Sequence, residues 1–261
     1  MSDDFGRGML GWTAARWTEL DALAATTTTA SVVMRNFVAV TDQPDAKNVR
    51  IAATDVPVQQ IRADFDYNMQ DDAPEDLERN VRLASQALAD QEDHEVLDAM
   101  GLFPAHNGEQ RIQPSEGLTS GEFIRAKNHL RESGVQQGFG VVVSAEALGE
   151  LEGEEKGVRS GVEFVEHIIG TTIRQCNVLG HDGYGRIHAV LFQASPAAVQ
   201  MVRAYGPRLR VLGVAGPVVT LRLEEGFAVH AVLPERCLAI TLDPEEARRR
   251  VEAQRAAHAA R

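Results

Sequence analysis

The densest group of residues that could bind a metal ion is Cys176, His181, Asp182 and His188, which fall within thirteen positions. Thiolate, imidazole and carboxylate groups are the usual ligands of zinc in proteins. The spacing matches no standard zinc finger, however, and the glycines between these residues are typical of a turn. The stretch therefore predicts a turn between two strands, and we expect neither a metal ion nor a cofactor.

The adjacent acidic pair Glu92 and Asp93 is the second candidate for chemistry. It falls in a predicted helix, where neighbouring side chains diverge by about 100° and cannot act together as acid and base. We place both residues on the outer side of that helix, facing water or another subunit. The chain has no phosphate-binding loop of the GxxxxGKS/T type, no HExxH and no GxSxG. We therefore predict no catalytic residue and no enzymatic activity.

The composition is that of a globular protein with an acidic surface. Of its 261 residues 44% are hydrophobic, which is enough for a substantial core, and the net charge is −12. This charge argues against a general nucleic-acid-binding surface but not against a protein that only encloses nucleic acid. No apolar run is long enough to span a membrane, and the acidic, glycine-broken start MSDDFGRGMLGW is not a signal peptide. The two cysteines lie far apart in sequence, which favours a reducing compartment without a disulfide framework.

The longest predicted element is a helix from Pro74 to Gly101. Pro74 suits the first helical turn, acidic residues follow it, and Gly101 can end the helix in the left-handed conformation. At about 1.5 Å per residue the helix would be about 40 Å long. Its apolar face has helical spacing and consists of Leu77, Val81, Ala84, Leu88 and Ala89. By itself this pattern is that of an amphipathic helix on a core.

A second helix is predicted over residues 13–33, with Trp17, Leu20 and Leu23 on one side. Together with Phe37, this side would either line an apolar groove for a partner's peptide or simply pack in the core. Both interpretations stay open from the sequence.

The remaining elements are short. Residues 34–40 are rich in β-formers, and residues 49–65 are typical of an edge strand or extended arm. Capping boxes at 119–122 and 160–163 predict two helices, Ser144 caps a third, and residues 149–157 are predicted to be an acidic surface loop. Further strands are predicted at 138–143, 171–178, 187–193, 199–204, 209–214, 218–223, 227–231 and 237–242. The fold class is α+β.

The last segment, residues 243–261, is predicted to be a helical tail that is locally basic in an acidic protein. It is either a solvated helix held by alanine propensity and ion pairs, or a clasp onto an acidic surface of a neighbouring subunit. In the second interpretation Arg248, Arg249 and Arg250 make the contacts.

The order of several motifs resembles the shell protein of encapsulins over nearly the whole chain. That family has a tryptophan-bearing helix, then Arg-x-Phe-Val-Asp-Val, Leu-Arg-x-x-Phe, a long helix with Glu-Asp before a glycine, a Gly-x-x-Gly-Pro-Tyr strand entry and a closing Glu-Ser-Phe with Pro-Glu-Ala. The corresponding segments here are Arg35-Asn-Phe37-Val38-Ala-Val40, Arg62-Ala-Asp-Phe65, Glu92-Asp93 before Gly101, Gly134-Val-Gln-Gln-Gly138, and Leu221-Arg-Leu-Glu-Glu225-Gly-Phe227 with Leu233-Pro-Glu235.

This resemblance implies the Hong Kong 97 phage capsid fold, in which the long helix is a spine that supports a peripheral domain. It also implies an axial domain and an extended loop, which is short here. The implied layout is an N-terminal arm and helix at 1–40, the extended loop at 41–65, the peripheral domain with the spine helix at 66–137, the axial domain at 138–215, return strands of the peripheral domain at 216–242, and the tail at 243–261.

Two departures from the encapsulin pattern bear on function. Ala39 stands where the family motif has an acidic residue, and the stretch between Val40 and Val49 is shorter than expected for an encapsulin. Major capsid proteins of tailed phages share the fold with a freer sequence. The resemblance therefore implies a shell protomer of a double-stranded-DNA phage head, with an encapsulin around a cargo enzyme as the alternative.

The implied partners follow from that role. They are many copies of the same chain around DNA held without sequence-specific contact, or around a cargo protein, with no membrane involved. The expected location is the virion capsid, assembled in the host cytoplasm, or a cytoplasmic nanocompartment for an encapsulin.

Overall fold

The computed structural model describes residues 6–44, 46–70, 73–102, 111–112, 118–156, 159–180 and 187–241. The chain divides into two compact units, one containing the chain up to Val96 with Gln200–His230, the other Leu97–Val199 with the chain from Ala231 onward. Both units contain helices and strands, which confirms the α+β class. The six-part layout implied by the resemblance is not tested by this division and stays a prediction.

The first unit is built from two helices, a four-stranded sheet and a small hairpin. Its elements, numbered in chain order, are α1 (Ala14–Ser31), β1 (Ala39–Asp42), β2 (Asn48–Ile51), β3 (Thr54–Pro57), β4 (Gln59–Asn68), α2 (Pro74–Ala99), β11 (Val199–Ala215) and β12 (Val218–Ala231). The sheet order is β1-β11-β12-β4. β1 runs parallel to β11, and β4 pairs antiparallel with β12 along its whole length.

α2 confirms the long helix predicted from the sequence. It begins at Pro74 and ends at Ala99, and Gly101 follows with a φ of 72°, the left-handed conformation expected at such an end. The five residues of the predicted apolar face, Leu77, Val81, Ala84, Leu88 and Ala89, are all buried. Leu83 lies on the same helix but outside this face, and it is 57% exposed. The periodicity thus identifies the buried side, whereas its role as the spine of a shell protein stays a prediction.

The strands β11 and β12 replace the four separate short strands predicted over residues 199–231. β11 continues through Gly206 and Pro207, where a turn was expected. Two residues later Leu209 donates its N–H to Asp21, and its carbonyl accepts from Arg7. Alternate residues of a strand point their backbone groups to the same side, so the Pro207 nitrogen lies on the same edge as the Leu209 N–H. No described strand pairs with β11 on this edge at Pro207, so the missing N–H of proline costs no hydrogen bond there.

Residues 48–57 form a hairpin, so the single edge strand or extended arm predicted over residues 49–65 is wrong for this part. From Gln59 onward the edge-strand alternative is confirmed, because β4 lies at one edge of its sheet. β2 pairs with β3 through a two-residue turn, Ala52-Ala53, in which both residues have positive φ angles of 46° and 71°. This is the conformation of a type I′ turn, which favours Asn-Gly because a Cβ is disfavoured there. The hairpin is held to its own unit, because Val49 and Ile51 are buried in one cluster with Val202 and Ala228.

The second unit is a five-stranded sheet with three helices and a small hairpin. Its elements are β5 (Arg111–Ile112), α3 (Ser120–Glu132), β6 (Phe139–Val143), α4 (Ala145–Gly153), β7 (Glu155–Lys156), β8 (Arg159–Ser160), α5 (Gly161–Ile169), β9 (Ile173–Gln175), β10 (Ile187–Gln193) and β13 (Cys237–Thr241). The sheet order is β5-β13-β10-β6-β9. Its inner strands form one core with Phe123, Leu130 and Val165 of the helices. No helix in the described part of the chain is long and apolar enough to cross a membrane.

Two of the three predicted helix caps in this unit are confirmed. The Ser144 hydroxyl accepts from the Ala147 N–H, and Ser160 and Glu163 form a complete capping box. The box predicted at Thr119 is wrong, because within the described chain that side chain makes no capping bond. Glu154 replaces it by accepting from the N–H and the hydroxyl of Ser120.

The acidic loop predicted at 149–157 is also corrected by the structure. α4 occupies this segment as far as Gly153, and β7 follows it. The charge density suggested a solvated loop, but Glu154 is needed as the cap of α3. A carboxylate from a distant element can therefore take the place of a local capping side chain.

The buried face of α2 predicts a large effect for Leu88→Ala. Leu88 is fully buried, so the change removes apolar contacts and leaves a cavity, and we expect a loss of about 2–5 kcal/mol in the free energy of unfolding. Urea unfolding followed by circular dichroism measures this. Leu83→Ala on the same helix is the matched control and should change stability by less than about 0.5 kcal/mol, because Leu83 is exposed. Equal effects of the two changes would contradict the assigned face.

The hairpin turn predicts that Ala53→Gly stabilises the protein. A residue with a Cβ costs about 1–2 kcal/mol in the left-handed conformation, and glycine removes that cost while adding freedom to the unfolded chain. We expect a net gain of about 0.5–1 kcal/mol. The same change at the exposed helical residue Ala87 should lose about 1 kcal/mol. Thermal unfolding of both variants tests the opposite signs, and a loss at both positions would argue against the type I′ turn.

Candidate functional site

A buried ion-pair cluster in the first unit is centred on Arg35. The Arg35 guanidinium donates from Nε to Glu92 Oε1 at 2.7 Å and from Nη2 to Glu92 Oε2 at 2.5 Å, a two-pronged pairing. The Arg35 side chain is 10% exposed, and the Glu92 side chain is fully buried. Burial opposes the charge of Arg35, but the two glutamates outweigh burial and raise the pKa of Arg35 above its ordinary value.

A second carboxylate completes this cluster from β12. Arg35 Nη2 also donates to Glu225 Oε1 at 2.7 Å, and the Glu225 side chain is fully buried. The other oxygen, Oε2, has no hydrogen-bond partner within the described residues. One guanidinium therefore faces two buried carboxylates. Burial raises the pKa of Glu92, against the effect of Arg35, and raises the pKa of Glu225 to about 7.

Asp93 forms a separate anchor beside the cluster. Its two carboxylate oxygens accept from the backbone N–H groups of Val33 at 3.0 Å and Met34 at 2.8 Å. Burial raises the pKa of Asp93 to about 7, while the two backbone bonds act in the opposite direction. These bonds hold the chain in a 3-10 turn at Met34–Asn36. The β-rich segment predicted over residues 34–40 is therefore wrong as far as Val38, and β1 begins only at Ala39.

The outer position expected for Glu92 and Asp93 is wrong. Both residues are buried, at 0% and 2% exposure. Their charge suggested a wet face, yet Glu92 follows Leu88 by four residues and Asp93 follows Ala89 by four, so helical spacing places each pair on one side. The divergence of the two neighbours explains their partners: one points to Arg35 and the other to the backbone. Helical spacing alone therefore predicts the buried side for both residues, although their charge favours an exposed one.

The cluster brings together segments that are far apart in sequence. Arg35, Glu92 and Glu225 lie 57 and 190 positions apart in their hydrogen-bonded pairs. Each lies in one of the motifs on which the resemblance was based: the Arg-x-Phe-Val segment, the Glu-Asp end of the long helix and the closing Glu-Gly-Phe segment. The arrangement offers no exposed reactive atom. It can join three elements, and it can bind or release a proton.

The candidate metal-binding stretch is divided by the limits of the described chain. Cys176 and His188 are buried, whereas His181 and Asp182 lie outside the described residues. No group of three or more potential metal ligands occurs within the described residues. His188 Nδ1 is 3.4 Å from Ser144 Oγ and 3.6 Å from Glu146 Oε2. In a nucleophilic triad the histidine contacts the nucleophile through one ring nitrogen and the carboxylate through the other. Here Ser144 and Glu146 both lie near the same nitrogen, Nδ1, so the three residues do not form a triad.

The predicted face of the N-terminal helix has two environments. Trp17 and Leu20 are buried in the core, whereas Leu23 and Phe37 are partly exposed. The Trp17 ring packs at 4.9 Å from the ring of Trp12, and the Arg7 guanidinium lies 4.8 Å from its centre. Because Leu23 and Phe37 are only partly exposed, the interpretation as a groove for a partner stays a prediction. Arg248, Arg249 and Arg250 of the tail lie outside the described residues.

The cluster predicts a large effect for Arg35→Met. This change removes the cation and leaves two buried carboxylates facing each other, so we expect a loss of about 3–5 kcal/mol in the free energy of unfolding at pH 7.5. The matched control is Arg222→Met on β12, which breaks the 2.7 Å pair with the exposed Asp64. That pair is worth about 0–1 kcal/mol.

A triple change separates the charges from the packing. Arg35→Met, Glu92→Leu and Glu225→Leu together remove every charge of the cluster and should recover most of the stability lost by Arg35→Met, because buried ion pairs often contribute little net stability. Urea unfolding of the single and triple variants measures this difference. A single variant as stable as the Arg222→Met control would contradict the buried cluster.

Comparison with known proteins gives a result only at the level of structure. No protein-family model matches the sequence, and no curated protein sequence matches it. Among solved structures, the virus-like particle from Pyrococcus furiosus is similar with a TM-score of 0.66 at 15% identity, over 87% of this chain and 99% of that one. Microbacterium phage Oxtober96 is similar with a TM-score of 0.62 at 13% identity, over 82% and 91%. The capsid of Myoviridae phage XM1 is similar with a TM-score of 0.53 at 12% identity, over 82% and 92%.

At sequence identities this low, what this chain shares with these structures is the fold. The similarity extends over most of each compared chain, and it includes a virus-like particle as well as phage structures. With the α+β architecture and the long helix α2, the chain has the Hong Kong 97-type capsid fold that its sequence resemblance implies.

Proposed function

We propose that this protein is the repeating subunit of a closed icosahedral shell, the major capsid protein of a tailed double-stranded-DNA phage. The observation that carries the proposal is the common fold with the capsid of Myoviridae phage XM1 and with Microbacterium phage Oxtober96, over 82% of the chain in each case. Many copies would close the shell through heterologous contacts, in which one surface of a subunit meets a different surface of the next.

The charge of the chain supports a container for DNA. At a net charge of −12, phosphate groups are repelled from most of the surface, so packaged DNA would not bind the wall. The DNA would be held without sequence-specific contact. Assembly would take place in the host cytoplasm, and the finished protein would be part of the virion.

We infer that the chain does no chemistry of its own. Its buried polar groups serve the fold: Glu154 and Ser144 cap helices, Asp93 holds a turn, and Glu92 pairs with Arg35. The six-part layout belongs to the same proposal. In it residues 138–215 form the axial domain, residues 66–137 the peripheral domain with its spine, and residues 41–65 the extended loop.

The second candidate is an encapsulin, a shell that encloses a cargo enzyme. The observation that favours it is the similarity to the virus-like particle from Pyrococcus furiosus, of which 99% is covered. In this case the partly exposed residues Leu23 and Phe37, together with the buried Trp17 and Leu20, would receive a segment of the cargo protein.

Electron microscopy tests the shell directly. The full-length protein is expressed alone and together with the genes that flank it in its source genome, and each preparation is examined by negative stain. We expect closed particles of uniform diameter in at least one preparation. Small oligomers in both preparations, at every salt concentration and pH tried, would contradict the proposal.

The contents of particles from the native source decide between the two candidates. Nuclease-protected double-stranded DNA inside the particles supports the phage head. A single co-purifying enzyme, identified by mass spectrometry, supports the encapsulin, and the changes Leu23→Asp and Phe37→Asp should then release it while particles still form.

A further inference from the structure

The two glutamates of the Arg35 cluster are held unequally. Glu92 uses both oxygens to accept from Arg35, whereas Glu225 uses one and buries the other without a partner within the described residues. An ionised carboxylate with an unsatisfied oxygen in the interior is costly, and protonation removes its charge. Glu225 is therefore the member of the cluster that gains most from a proton.

Among the described residues, the charged groups on the surrounding elements do not supply the missing cation. Arg203 of β11 attracts both glutamates, but it is itself paired with Asp42 of β1 at 2.7 Å. On α2 the nearby charges are acidic, namely Asp90 and Asp93 beside Glu92. Glu224, the neighbour of Glu225 on β12, pairs with Arg208. The charges of the cluster are thus one positive guanidinium, paired with Glu92, and one further carboxylate, Glu225, which has no cation of its own.

We propose that Glu225 carries a proton when the cluster is packed, and that release of this proton is a switch that loosens the joint between β12, α2 and the turn at Met34–Asn36. The reaction is the dissociation of one carboxylic acid: its O–H bond breaks, the proton goes to water, and the electron pair stays on the oxygen. The joint lies within a single chain, so the switch is independent of the proposed shell function.

The direction of the pH effect follows from burial. Burial raises the pKa of Glu225 to about 7 from an ordinary value of 4.5. Between these two values the folded protein holds one proton more than the unfolded chain. The stabilising contribution is therefore complete below pH 4.5 and is lost as the pH rises through about 7. One proton corresponds to about a tenfold change in the unfolding equilibrium constant for each pH unit within that range.

Asp93 and Glu92 are weaker candidates for the same proton. Asp93 accepts two backbone N–H groups, which bind an ionised carboxylate better than a neutral acid. Glu92 accepts two hydrogen bonds from a guanidinium and has no free oxygen. Glu225 differs from both in having one hydrogen bond and one orphaned oxygen.

Unfolding measured between pH 5 and pH 8.5 tests the switch in the full-length protein. Glu225 should contribute a rise of about tenfold per pH unit in the unfolding constant from pH 5 to pH 7. Asp93, whose pKa burial also raises to about 7, adds a slope of the same sign in every variant, so the slope of the unchanged protein is compared with that of Glu225→Gln. In Glu225→Gln, which cannot ionise, this contribution should disappear. The matched control is Asp64→Asn, an exposed carboxylate on the same sheet whose pKa is held low by hydrogen bonding to Arg222. This control should keep the slope of the unchanged protein, and all three proteins are compared in the same state of assembly.

Infrared spectroscopy gives an answer that does not require a variant to fold. With ¹³C at the side-chain carboxyl of glutamate only, a protonated glutamic acid shows a carbonyl band that shifts with the label, whereas aspartic acid does not. We expect such a band at pH 6 and its loss by pH 8.5. Absence of the label-shifted band at pH 6, or equal slopes in the unchanged protein and Glu225→Gln, would overturn the proposal.

Discussion

The first unit depends on one electrostatic requirement: a guanidinium that is nearly excluded from water must find its counter-charges inside the protein. Arg35 meets this requirement with the carboxylate of Glu92 of α2, and it donates a further hydrogen bond to Glu225 of β12. Such pairs contribute less to net stability than their Coulomb attraction suggests, because desolvation opposes them. A misplaced pair, however, leaves a buried charge unpaired, which is far more costly. The cluster therefore acts mainly by permitting one arrangement of the three segments.

The sheet of the first unit meets a second requirement, which concerns its edges. At the β4 edge the Gln91 side chain donates to the Arg62 carbonyl and accepts from the Arg62 N–H, in place of a strand. At the β11 edge Asp21 and Arg7 do the same for Leu209. Open backbone groups at an edge invite pairing with other chains. Side chains of the two helices and of the N-terminal segment thus cover part of each edge. In a proposed shell subunit, this cover would limit edge-to-edge strand pairing between copies.

The predictions from the sequence succeeded where the deciding interactions are local. Helical spacing over residues 74–101 identified α2 and its buried side, and the Ser160–Glu163 pair identified the cap of α5. They failed where a distant residue decides. Glu154 took the place of the Thr119 cap, and Asp93 turned a predicted strand into a 3-10 turn. The hairpin turn Ala52-Ala53 gave no signal, because neither residue favours positive φ.

The candidate site shows the same division. The motifs around Arg35, Glu92 and Glu225 are visible in the sequence, and their order along the chain was enough to indicate a capsid-type fold. Their meeting is not visible, because a charged residue within a helix is usually solvated and the sequence contains no measure of distance between positions 35, 92 and 225. The sequence by itself determined α2 with its apolar face and the cap of α5, since these depend on spacing and on neighbours within a few residues. Only the tertiary structure decided which charges are buried and which carboxylate is left with a free oxygen, since burial depends on what other segments bring to the same place.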